Sequence, residues 1–148
     1  MTVFIMHGCS ESSPPKINCA YEGNAGIVYN GMECKGHISY VNTDTASVSI
    51  SSPETLKGIK FSRSDGSCTF SLDNLLCRSG CRLTNNNSFE SCLFSAFDGI
   101  SKGNLTLKDE KDGIYTFVSD ENDITCDTDK SGKLISIKTP DIEIKTAE

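Results

Sequence analysis

The chain has 148 residues, eight of them cysteine, and its 14 Lys plus Arg against 20 Asp plus Glu give a net charge of −6. That acidity argues against nucleic acid or an anionic membrane surface as a direct partner, and no apolar run reaches the roughly 18 residues of a membrane span, so membrane attachment is expected only through a segment outside this sequence. Cysteine in this amount points to an oxidising compartment, extracellular or on a virion or cell surface and reached by the secretory pathway, although Met1–Met6 is too short and lacks the basic start of a signal peptide.

Strand signals dominate the chain in order. Thr2–Met6, Gly26–Tyr29 and Ile38–Val41 are short apolar runs, and Val48 and Ile50 alternate with Ser47, Ser49 and Ser51, which places apolar side chains on one face and hydroxyls on the other. Ile59–Phe61, Thr69–Ser71, Cys92–Phe97, Leu105 with Leu107, Ile114–Val118, Leu134 with Ser136, and Ile142 with Ile144 continue the series. Turn signals separate them at Asn30-Gly31, Ser64-Asp65-Gly66, Asp98-Gly99, Asp112-Gly113 and Ser131-Gly132. No sustained helical period is read, beyond one turn at Leu72–Leu76. The expectation is an all-β chain of about ten to twelve short strands.

The cysteines divide into two sets that each end on the same interval. Cys9, Cys19, Cys34 and Cys68 form the first, Cys77, Cys81, Cys92 and Cys126 the second, and 33 residues lie between the last two members of each. A duplication follows from that agreement, giving two tandem disulfide-stapled β-sandwich modules of immunoglobulin-like size, residues 1–72 and 73–148, with a rigid junction near Leu72–Leu76. The shared interval pairs Cys34 with Cys68 and Cys92 with Cys126, leaving Cys9 for Cys19 and Cys77 for Cys81. Each long bridge would restrain the unfolded chain by roughly 3–4 kcal/mol, which a module of about 70 residues without tryptophan needs.

Three kinds of chemistry are weighed and set aside. Cys77-x3-Cys81 has tolerable zinc spacing, and His7 and His37 could add nitrogen ligands, but no second close pair completes a site. Asp127-x-Asp129-x-Ser131-Gly132 resembles the opening of a calcium loop, and Asp120, Glu121 and Asp123 add acid nearby. Lys138 nevertheless stands where the closing glutamate would be, so an acidic hairpin loop is the expectation. No nucleophile–base motif occurs, so the chain is read as non-enzymatic and without a cofactor. Asn86 and Asn104 head the sequons Asn86-Asn87-Ser88 and Asn104-Leu105-Thr106 and are candidate glycan sites.

Short pieces of the chain resemble a known family. Thr2-Val3-Phe4, Cys9, Cys19-Ala20-Tyr21-Glu22, Gly26-Ile27 and Cys34 are similar to the carboxy-terminal module of hantavirus Gn, and Ser47–Glu54 is similar to a strand of tospovirus Gn. The second half, opening on Cys77-x3-Cys81, resembles domain III of class II fusion glycoproteins. The resemblance to membrane-proximal, immunoglobulin-like modules of bunyavirus envelope glycoproteins implies a segment of a viral or cell-surface glycoprotein that acts through contact with a protein partner or sister glycoprotein subunit. A secreted pathogen or parasite effector that binds a host protein is the alternative.

Overall fold

A computed structural model describes residues 13–80 and 87–147. Eleven strands form one antiparallel sheet: β1 (Tyr21–Tyr29), β2 (Met32–Asn42), β3 (Thr45–Ser52), β4 (Lys60–Ser64), β5 (Ser67–Leu72), β6 (Leu75–Gly80), β7 (Thr106–Lys111), β8 (Ile114–Ser119), β9 (Ile124–Thr128), β10 (Leu134–Lys138) and β11 (Ile142–Thr146). Among the described residues one helix, α1 (Phe89–Ser101), lies between β6 and β7. The sheet runs β6-β5-β4-β3-β2-β1-β11-β10-β9-β8-β7, two meanders joined where β1 pairs with β11.

Turn chemistry accounts for the hairpins. Asn30-Gly31, Asp65-Gly66 and Asp112-Gly113 all carry positive φ at both residues, the backbone that joins two twisted strands through a two-residue loop. The even-numbered residues of β2 and β3 face inward, and Ile38, Tyr40, Ala46 and Val48 are all buried. On β10 the inward residues Leu134 and Ile137 are three apart, because a register shift between Leu134 and Ser136 restores the alternation.

Several expectations are corrected here. Cys92–Phe97 is not a strand and Asp98-Gly99 is not a turn; both lie within α1. Phe89, Cys92, Leu93, Ala96, Phe97 and Ile100 recur at helical spacing and form the stripe that packs on the sheet. Gly99 makes that approach possible, since a Cβ there would lie 2.0 Å from Ile124 Cδ1. Leu72–Leu76 is likewise no helical turn but the end of β5, a two-residue turn and the start of β6, with Leu72 opposite Leu75. The expected boundary at 72/73 therefore falls inside a hairpin, and the two halves share one sheet and one buried cluster rather than two separate sandwiches.

The helix covers only the middle of the sheet. Ile27, Ile38, Val48, Ile124, Cys126, Ile137 and Ile144 are buried beneath it, whereas every residue of β7 is exposed and no residue of β4 or β5 is fully buried. Both ends of the sheet project beyond the core.

Candidate functional site

The two projecting ends, edges of the sheet among the described residues, differ in how they are guarded. A terminal strand offers a row of unpaired backbone donors and acceptors, and charges or bulges usually guard it. At β7, Lys108, Asp109, Glu110 and Lys111 are all exposed, and the register shifts between Leu107 and Asp109. At β6 the sequence is Leu75-Leu76-Cys77-Arg78, with both leucines 58% exposed and the Cys77 thiol exposed and free. Successive strand residues point to opposite faces, so the pair leaves one leucine on each side of the sheet. Asp73, in the left-handed region at φ 50, turns the chain from β5 into this strand.

Behind β6 the helix-side face is apolar and aromatic. Phe61 of β4 packs against Phe70 of β5 at 5.3 Å between ring centroids and against Phe89 at the start of α1 at 5.8 Å. Cys77 stands opposite Phe70 in the ladder. Two small clefts flank these rings, one of 120 Å³ lined by Met32, Ile50, Leu56, Ile59 and the Phe61 and Phe89 rings, the other of 100 Å³ reaching Cys77, Arg78 and Phe94. The Tyr29 hydroxyl donates to the Asn87 carbonyl and ties the helix start to β1.

A charged lock fixes the helix against the strands that lead to this edge. Arg63 of β4 donates from Nη1 and Nη2 to Asp98 Oδ2 and Oδ1, each at 2.8 Å, and the Tyr40 hydroxyl donates to Oδ1 at 2.8 Å. The guanidinium lies over the Phe94 ring at 5.1 Å, and Tyr40 stacks on Phe97 at 4.9 Å. Burial pushes the Tyr40 phenol up from its ordinary value and the bond to Asp98 adds to that; the same carboxylate raises Arg63. A cleft of about 430 Å³ lies on the other flank of α1 and includes Asp98, Lys102, Asn122, Thr139 and Asp141.

The expected disulfides are not those of the structure. Cys19, Cys34, Cys77 and Cys126 carry free thiols, while Cys68 is disulfide-bonded. Cys34 and Cys68 sit on β2 and β5 with β3 and β4 between them, about 14 Å at the usual strand spacing, against a limit of about 7 Å between bridged Cα atoms. Cys126 is unbridged, so it is not joined to Cys92, which lies on the helix. With free thiols at Cys19 and Cys77, the Cys9–Cys19 and Cys77–Cys81 bridges are absent too; Cys9 and Cys81 themselves lie outside the described residues, as do His7 and Asn86.

His37 sits on the outer face, its Nε2 2.7 Å from Glu22 Oε1 and its Nδ1 3.3 Å from Asn24 Oδ1. Among the described residues no three His, Cys, Asp or Glu side chains are grouped to hold a metal ion. The Asp127–Lys138 stretch is a hairpin in which Asp129 Oδ1 accepts from Ser131 N, Ser131 Oγ and Lys133 N at 2.8, 2.6 and 3.0 Å. Those bonds, led by the Ser131 hydroxyl, hold the carboxyl below its usual range. Asp127 accepts from Thr116 and Ser136 at 2.7 and 2.8 Å. Asn104 is exposed, its amide 3.3 Å from Glu121 Oε2.

No protein-family model and no curated protein matches the chain. Among solved structures, a LolA superfamily protein from Nitrosomonas europaea is similar at 9% identity and a TM-score of 0.42, over 87% of this chain and 84% of that one. At that level of likeness neither a fold family nor a binding property transfers.

Proposed function

We propose that this chain is a non-enzymatic extracellular contact module, a segment of a viral or cell-surface glycoprotein whose β6 edge takes up an extended strand of a sister subunit. The observation that carries the reading is the contrast between the edges, Leu75 and Leu76 at 58% exposure on β6 against a fully charged tip on β7. Backbone groups of an added strand supply affinity, and its alternating side chains meet one leucine on each face. Arg78 places a cation at this edge of a chain with net charge −6, so the incoming strand carries an acidic residue opposite it. A tandem pair of sandwiches is not required for this role, which the resemblance to bunyavirus envelope glycoproteins also implies.

The test is site-specific photocrosslinking in the cell that makes the protein, with a benzophenone amino acid at Leu75 or, as a control, at Leu107 on the opposite edge. The expected result is a discrete adduct with a secreted or membrane glycoprotein from Leu75, lost on Leu76→Lys, and none from Leu107. Absence of an adduct at Leu75, or equal adducts from both edges, refutes the reading.

A further inference from the structure

Ile17, Asn18 and Cys19 precede the first strand and pass across the β9–β10 hairpin. Asn18 forms an isolated parallel bridge with Lys133, its N–H donating to Gly132 O at 2.9 Å. Gly132 is required there, because a Cβ would lie 2.0 Å from Lys16 O. That bridge places the next residue, Cys19, over the inner side of the hairpin, where it packs half-buried against the core.

Cys126 points into the same place. It is fully buried on the inner face of β9, opposite Phe117 of β8 and Ile137 of β10. Cross-strand partners share a face, and the Phe117 ring lines a 310 Å³ cleft together with Ile17, Cys19, Ile100 and Leu105. Both thiols thus border one ring, and they are close enough for the charge on Cys19 to bear on Cys126. Cys68 is already bridged, so the fold accommodates oxidised sulfur.

We propose that Cys19 and Cys126 are a dithiol pair that closes to a disulfide when the protein meets an oxidised low-molecular-weight thiol such as glutathione disulfide, stapling the segment before β1 to β9. The Cys19 thiolate attacks the glutathione disulfide, forming a mixed disulfide and releasing one glutathione thiolate. The Cys126 thiolate then attacks the Cys19 sulfur, forming the Cys19–Cys126 bond and releasing the second. Two protein thiols are oxidised, one glutathione disulfide is reduced, and the two thiol protons end on two glutathione molecules. Cys19 is the entry point, being half-exposed and beside Lys16, which partly offsets the upward push of burial. An isolated bridge holds its segment instead of a ladder, and this backbone can adjust to the Cβ separation of about 4 Å that a disulfide needs.

The test treats the intact reduced chain with glutathione disulfide, alkylates it in denaturant and maps the peptides without reduction. The expected product links the Cys19 and Cys126 peptides, and raises the thermal midpoint by about 10 °C over the reduced chain. In Cys126→Ala the Cys19 peptide is instead recovered glutathionylated. In native reduced protein iodoacetamide labels Cys19 before Cys126. Recovery of both as alkylated thiols after oxidation, or Cys19 joined to any other cysteine, overturns the proposal.

Discussion

Replacing Asp98 by alanine removes the acceptor on which two elements converge. Asp98 sits in the last turn of α1, where the carbonyl end of a helix favours cations over carboxylates, so Arg63 is what makes an acid tolerable there. The two side chains are 14% and 19% exposed, and the Arg63 Nε is already buried without a partner among the described residues. Asp98→Ala therefore strands a largely desolvated guanidinium and removes the acceptor of the Tyr40 hydroxyl. Breaking a buried pair from one side costs about 3–5 kcal/mol, and the residual exposure places this one near the lower end, about 3 kcal/mol. For a chain of this size the thermal midpoint falls by about 10 °C. Urea unfolding followed by circular dichroism measures the loss, and the double variant Arg63→Met with Asp98→Ala recovers about 2 kcal/mol of it because no charge is left behind. A cost below about 1 kcal/mol for Asp98→Ala, or a double variant as unstable as the sum of the singles, refutes the account of this contact.

Gly99→Ala drives a Cβ into Ile124 Cδ1 and is expected to lose about 1–3 kcal/mol by separating α1 from β9; Ile124→Val, which removes the clashing methyl, should restore part of it in the same unfolding assay, and equal stability of Gly99→Ala and the unaltered chain would contradict the packing. Burial, reinforced by Asp127 and Cys19, pushes the Cys126 thiol up to about 12. A folded-state pKa above the unfolded one means the contribution is complete below about pH 8.5 and is lost as pH rises towards 12, at up to about 1.4 kcal/mol per unit. The reduced protein should therefore lose stability between pH 9 and 11 more steeply than Cys126→Ala, and parallel curves would exclude the effect.

The strands were legible because half-buried strands alternate. Val48 and Ile50 among serines, and Ile142 and Ile144 among charges, announce an inner and an outer face whatever lies beside them. Turns such as Asn30-Gly31 and Asp112-Gly113 were equally clear, since few residue pairs accept positive φ twice. The helix was hidden by competing signals. Asp98-Gly99 imitates a turn, yet that glycine serves the close approach of α1 to Ile124, a reason that exists only in three dimensions. The apolar run Cys92–Phe97 reads as a strand when it is cut out of the longer stripe from Phe89 to Ile100. The lock of Arg63, Asp98 and Tyr40 joins residues 35 and 58 positions apart, and no local pattern marks them as partners. The apolar edge was missed because Leu75 and Leu76 have no alternation; a strand left bare on both faces looks like a buried one in sequence.

The meander order has a kinetic consequence. From β1 to β6 and again from β7 to β11, each strand pairs with the next one along the chain, contacts that close short loops and form early. The seam is different, joining Ala25 to Thr146 and Tyr29 to Ile142. Its pairing must wait until almost the whole chain has been gathered, so β1 and β11 meet as two preformed curtains of hairpins, and the rate of folding is set at the middle of the sheet instead of at its borders.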